Sequence, residues 1–269
     1  MPRSIWKGSI SFGLVSIPVK LYGATEDKDI SFRQVHSSDG GRIRYQRVCE
    51  KCGEVVQFAD IAKGYEATDG RMAILTDEDF SNLPLTTLKS VDVVQFVDEH
   101  EVDPTFFQRT YFLEAEQAGQ KPYVLLREAL AKEDKVAVVK VALRSRESLA
   151  LIRAKDDLLL MHTMYWPDEL RDGEFAAPSD EVKISDAEIE MAKLLIAQLE
   201  GEFDPEAYTD SYREALLEVV EAKLSGVEVP DQADTSAPTG DVVDLMAALK
   251  ASVDAAKKRR EEASASKAG

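Results

Sequence analysis

RSIWKGSISFGLVSIPVKLY, residues 3 to 22, alternates apolar with small or polar residues and then changes phase midway. Ile10, Phe12 and Leu14 share one parity, whereas Val15, Ile17, Val19 and Leu21 share the other. Strand side chains repeat every two residues, so such a flip requires a bulge or a corner that turns the chain over. Gly13 and Pro18 suit that corner. The stretch also carries Trp6, Lys7 and Lys20, although the whole chain of 269 residues has a formal net charge of −17.

That charge is unevenly placed. Residues 1 to 51 hold nine Lys/Arg against five Asp/Glu, and residues 121 to 155 hold nine against four, so both segments are basic. Residues 52 to 120 hold four against fourteen and residues 156 to 269 eleven against twenty-seven. Two basic segments within an acidic chain can line one surface while the remainder faces solvent, because a field depends on where charges sit. The longest apolar runs, LVSIPV and VAVVKVAL, are too short to span a bilayer, and no signal-peptide h-region opens the chain. A cytoplasmic protein without a membrane partner is expected.

Farther along, GGRIRYQRVCEKCGEVVQF (Gly40 to Phe58) reads as a turn, a strand, a knuckle and a return strand. TDEDFSNL predicts a short helix capped by Thr76, Ser90 to Val97 a strand, and Tyr123 to Asp134 a helix. VAVVKVAL, LALIRAK and LLLMHTMYW, joined by RSRES and DD, predict an antiparallel meander. From Ser185 the period becomes helical: SDAE is a capping box, and a second helix carries Tyr208, Tyr212, Leu216, Val219 and Val220. A mainly β unit with added helices follows, with expected divisions at 1–170, 171–225, a linker at 226–240 and a C-terminal amphipathic helix and tail at 241–269.

Catalytic parts are hard to find. There is no phosphate-binding glycine loop, GxSxG elbow or HExxH, and His36, His100 and His162 are scattered. His162 lies in an apolar strand, where a hydrogen-bonded structural histidine is expected. The two carboxylates of the WPDE turn are those of a surface loop.

Two constellations carry chemistry instead. His36-x2-Asp39-x9-Cys49-x2-Cys52 offers four donors that tetrahedral zinc accepts, while a reduced cysteine pair filling a hairpin tip is the alternative. Arg42, Arg44 and Arg47, with Lys51 nearby, and Arg144, Arg146, Arg153 and Lys155 around the first meander turn form the second constellation. Arginines on alternate strand positions share a face and can each meet a phosphate, which gives affinity without reading bases.

Finally, RSIWKGSISFGLVSIPVKLY, RVCEKCGEVV, KGYE, TDEDF, YFLE, YVLLREAL, LRSRESLALIR and MHTMYWPDE together resemble bacterial Ku, the DNA-end-binding family of nonhomologous end joining. The resemblance runs from Arg3 to VDLMAALKAS near the C-terminus. It implies a β-barrel core with a bridge arm near residues 31 to 72, two protomers joined into a ring that threads duplex DNA, and helices from Ser185 to Lys223 that knit the dimer. It implies no catalysis, no required cofactor, and a C-terminal region that engages ligase D. Val242, Leu245, Met246, Leu249 and Val253 form one helical stripe suited to that docking. The tail ends without the long lysine-rich extension of many members. A rival from another class is a zinc-ribbon factor that binds DNA at internal sites.

Overall fold

A computed structural model describes residues 2–81, 89–143, 146–179 and 182–227, together with 252, 253, 255 and 258. It divides into two compact units, residues 1–172 and 173–269.

The first unit is built on a seven-stranded closed barrel. Its strands are β1 (Trp6–Phe12), β2 (Val15–Gly23), β5 (Ser90–Asp98), β6 (Phe107–Ala115), β7 (Lys135–Leu143), β8 (Arg146–Lys155) and β9 (Leu158–Met164), in the order β1-β2-β6-β9-β8-β7-β5. The short hairpin β3 (Lys63–Glu66) and β4 (Met72–Leu75) stands apart as a separate sheet.

The phase change in the opening stretch is a two-residue hairpin rather than a bulge within one strand. Gly13 takes a positive φ of 58°, which only glycine adopts freely, and Phe12 pairs with Val15 across the turn. An antiparallel partner then always has opposite parity: Ile10 faces Ile17 and Gly8 faces Val19. Even positions of β1 and odd positions of β2 therefore point into one core. Leu14 belongs to neither face and is fully exposed at the tip, and Pro18 lies within β2 opposite Ser9. The expected corner sits at Gly13 alone.

Ile10, Ile17, Val19, Leu21, Val91, Val139, Val141, Ile152, Leu159 and Met161 are completely buried in one cluster. Each such side chain contributes about 1.5–3 kcal/mol by leaving water. Helix α2 (Gln120–Glu133) adds Tyr123, Leu126 and Leu130 to the same cluster. Its Tyr123 hydroxyl donates to the Leu113 carbonyl at 2.7 Å and accepts from the Leu159 amide at 2.7 Å. Leu113 and Leu159 are partners across β6 and β9, so the hydroxyl closes the seam where that pairing ends. Burial raises the Tyr123 pKa and keeps the phenol neutral.

The meander is present as expected, and the β8–β9 turn holds Asp156 at φ 49°. Thr76 caps the short helix α1 (Asp77–Ser81), whose Asp79 amide donates to Thr76 Oγ1 at 3.4 Å. In the second unit, the expected capping box opens α3 (Asp186–Leu199): Ser185 Oγ accepts from the Glu188 amide and the Glu188 carboxylate accepts from the Ser185 amide. α4 (Ser211–Leu224) starts three residues beyond Tyr208, which instead stacks on Phe203 at 5.7 Å. Among the described residues of this unit none is buried, and Ile196, Leu199, Tyr212 and Leu224 are exposed. Of the C-terminal stripe, Val253 is helical and half-buried, while Val242, Leu245, Met246 and Leu249 lie outside the described residues. Among the described residues no helix is long and apolar enough to cross a membrane.

Replacing Tyr123 with Phe strips both seam atoms of their partner in a buried place. The expected loss is about 1–3 kcal/mol of unfolding free energy with an unchanged denaturant slope, measured by urea titration.

Candidate nucleic-acid interface

The basic hairpin belongs to a long excursion between β2 and β5, residues 24 to 89. β2 runs antiparallel and β5 parallel to β1, on its two sides, so the excursion leaves and re-enters at one end of the barrel. Its two roots are fixed locally: Ala24 N–H donates to Thr110 O at 3.0 Å, and Ser9 N–H donates to Lys89 O at 3.0 Å.

Within this arm the expected strand pair is absent. Two tight knuckles stand in its place, each with one isolated bridge, Val35 with Arg42 and Val48 with Val55. They repeat the same backbone bonds. His36 N–H donates to Gly41 O at 2.8 Å and Gly40 N–H to His36 O at 2.9 Å; Cys49 N–H donates to Glu54 O at 2.9 Å and Gly53 N–H to Cys49 O at 2.8 Å. Gly40 and Gly53 hold φ of 71° and 76°. HSSDGG and CEKCGE adopt one loop geometry because each places glycine where the chain must turn left-handed. Backbone bonding within the turns thus takes the place of a continuous strand ladder.

Arg42, Arg44, Arg47 and Lys51 are exposed and make no ion pair among the described residues. The Arg47 guanidinium lies 5.3 Å from the Phe58 ring centre, which orients the cation without neutralising it. Arg33, ahead of the first knuckle, is likewise exposed and unpaired among the described residues. The arm as described has no buried residue between Gly23 and Leu75.

The meander cations separate into different environments. Strand directions place the end of β7 and the start of β8, with Arg146, at the end from which the arm leaves. Lys155 ends β8 at the opposite end, and Arg153 lies between them. Arg146 bonds Glu169 at 2.9 Å and Arg153 bonds Glu99 at 2.6 Å, so each must leave a carboxylate before meeting a phosphate. Lys155 is exposed, and Arg144 lies outside the described residues. Arg109, at the start of β6 on the arm's end of the barrel, is exposed and without an ion pair among the described residues. Its isolation within an acidic run of sequence conceals it, and only the strand order brings it to the arm.

The cysteine pair has its own electrostatics. The Cys52 amide, then the Cys52 thiol and the Lys51 amide, donate to the Cys49 sulfur and lower its pKa. Cys52 Sγ also lies 3.9 Å from Glu54 Oε2. As a zinc site the donor set fits only by halves: each knuckle presents two donors, yet among the described residues no three of His, Cys, Asp and Glu gather closely enough to hold a metal. His36 Nδ1 lies 3.3 Å from Asp39 Oδ1 and 3.2 Å from Ser38 Oγ, within its own knuckle.

His162 is partnered on one side only. Its Nδ1 lies 3.0 Å from Thr110 Oγ1, whereas Nε2, like Arg153 Nε, is buried without a hydrogen-bond partner among the described residues. Burial first, and the Arg153 charge second, depress its pKa below 6.5. As pH falls through about 6.5 the unfolded chain binds a proton that the folded ring resists, so acidification destabilises the barrel. Below pH 6.5 the urea midpoint of the parent should fall more steeply than that of His162→Gln, and parallel pH profiles would contradict this assignment.

Comparison with known proteins places this geometry in context. The Ku70/Ku80 beta-barrel domain family matches residues 11–191. A non-homologous end joining protein Ku of Frankia casuarinae is 51% identical over 96% of this chain, which spans 65% of that protein's length. Proteins of the same name from Mycobacterium tuberculosis and Bacillus subtilis are 45% and 41% identical, over 95% and 97% of this chain and 96% and 84% of theirs.

Proposed function

The chain belongs to the Ku family, and on that premise we propose that it binds double-stranded DNA ends without sequence preference, as a homodimeric ring in nonhomologous end joining. The observation that carries the DNA contact is the arm: Arg42, Arg44, Arg47 and Lys51 project from exposed loops without carboxylate partners among the described residues, in a chain whose net charge is −17. Cations left free of ion pairs can meet phosphates without first breaking a bond. The acidic remainder repels DNA from the other surfaces, which favours one mode of approach. Arg146 and Arg153 form an inner set that exchanges Glu169 and Glu99 for phosphate on binding.

A second copy is the natural cover for two surfaces. The arm and the pair α3 and α4 expose many apolar side chains and bury none among the described residues, and such surfaces in soluble proteins mark contacts. The protein protects ends and recruits ligase D through the stripe Val242, Leu245, Met246, Leu249 and Val253, and performs no catalysis of its own. It acts in the cytoplasm at the nucleoid. The reading requires no cofactor; a structural zinc on His36, Asp39, Cys49 and Cys52 would require the two knuckles to close on one ion. A zinc-ribbon factor acting at internal sites remains the competing class, and the pairing of cations with a barrel-rooted arm favours the ring.

Changing Arg42, Arg44 and Arg47 together to Glu should weaken binding to all duplex sequences alike. The slope of log K against log salt should become shallower by about 2.7, from roughly 0.9 per phosphate contact. The variant should still dimerise in analytical ultracentrifugation, and an unchanged salt slope would remove the arm from the interface.

Deleting residues 241–269 should leave end binding and dimerisation intact while abolishing stimulation of ligase D in a coupled joining assay. Unchanged stimulation would place recruitment elsewhere.

A further inference from the structure

We infer that an apolar groove at the end of the barrel away from the arm is a docking site for residues 242–260 from a copy of this chain. The groove has a volume of about 490 Å³. Helix α2 supplies Leu125, Leu126, Ala129 and Leu130, and Phe12 at the end of β1 and Phe96 near the end of β5 line it as well. Both strands run away from the arm's roots, and α2 joins the far end of β6 to the start of β7, which places the groove opposite the arm. Leu126 and Leu130 also belong to the core, but Leu125 is 63% and Phe96 47% exposed, so an apolar surface stays open to solvent.

Size decides the kind of occupant. Two folded surfaces in a stable complex bury about 1,600 Å², whereas pockets of roughly 300–1,000 Å³ take small groups. This groove therefore suits a few side chains of one segment, as when an amphipathic helix lays its stripe into a groove. Charge then selects the segment. Lys135 lines the groove and is already bonded to Asp98 at 2.5 Å; Asp98 first, then Glu101 and Asp134, hold its pKa above the ordinary ammonium value. Glu133 also lines it, exposed and without an ion pair among the described residues. Four carboxylates thus stand against one ammonium, and the surroundings favour a cationic visitor. Residues 242–260 carry both features in sequence. Val242, Leu245, Met246, Leu249 and Val253 recur at helical spacing, and Lys257, Lys258, Arg259 and Arg260 follow; four successive cations occur nowhere else in the chain. The stripe is the one proposed to engage ligase D, so groove and ligase compete for it and the groove shields it while no ligase is bound. The contact itself rests on neither the ligase nor the DNA reading.

The test uses the full chain without DNA or ligase, with p-benzoylphenylalanine replacing Leu125. Irradiation, trypsin digestion and mass spectrometry should show position 125 joined to peptides within residues 242–260, and the same probe replacing Phe96 should reach them too. The probe replacing Tyr165, which is exposed but does not line the groove, should not. Leu249→Glu should lower the crosslink yield about tenfold, because it puts a charge where an apolar side chain is buried. Glu133→Lys should lower it as well, and so should added salt, which screens exposed charges. Excess free peptide of residues 241–260 should compete. Crosslinks from positions 125 and 96 that land only outside residues 242–260 would overturn the docking, and so would a yield unmoved by Leu249→Glu. Circular dichroism unchanged in each variant would show that a lost crosslink is lost docking and not unfolding. Failure of DNA-end binding beside an intact crosslink would count against the DNA reading alone.

Discussion

Three residue pairs close the barrel: Ser9 with Ser90, Ile10 with Val91 and Ser11 with Asp92 join β1 to β5 in parallel, while the remaining barrel pairings are antiparallel. With β2 antiparallel and β5 parallel to β1 on its two sides, β2 ends and β5 begins at the same end of the barrel, and the connection between them must pass β1 there. That connection is extended into the arm. Gly8 makes the closure possible, because a Cβ there would lie 2.4 Å from the Lys89 carbonyl and 2.2 Å from the Trp6 ring. The rigid part of the molecule thereby dictates where its exposed part begins and ends: both roots sit at one end of a packed core.

The division of labour between core and arm is energetic as well as geometric. The barrel buries a continuous apolar cluster and takes α2 onto it, whereas the arm relies on knuckle hydrogen bonds and the short β3–β4 ladder and buries nothing among the described residues. Segments without a core of their own gain order from what they contact. In the proposed function, duplex DNA and the second protomer are those contacts. The same exposure leaves Arg33, Arg42, Arg44 and Arg47 of the arm without ion pairs among the described residues, while the barrel's Arg146 and Arg153 are held by Glu169 and Glu99.

Much of this fold is readable in the sequence where a single physical rule dominates. The meander shows itself because each strand is buried and each connector is short, and Ser185 with Glu188 announces a helix start through reciprocal capping. The opening hairpin is misread as a bent strand because a parity flip follows equally from a bulge and from a two-residue turn; only Phe12 pairing with Val15 distinguishes them. The arm is harder still. Alternating Ile43, Tyr45 and Arg47 imitates a strand, but the loops HSSDGG and CEKCGE satisfy the backbone internally, and no pairing survives beyond single bridges. Arg109 and the separation of Arg146 from Lys155 follow from strand order around a closed sheet, information that no local pattern carries.

The proposed closed ring would admit DNA only through an end, which gel-shift titration of one duplex, as a linear fragment and as a covalently closed circle of equal length and sequence, measures. Stable complexes should form on the linear duplex, competed by linear DNA and not by the circle. Equal retention of the closed circle at the same salt concentration would contradict the ring.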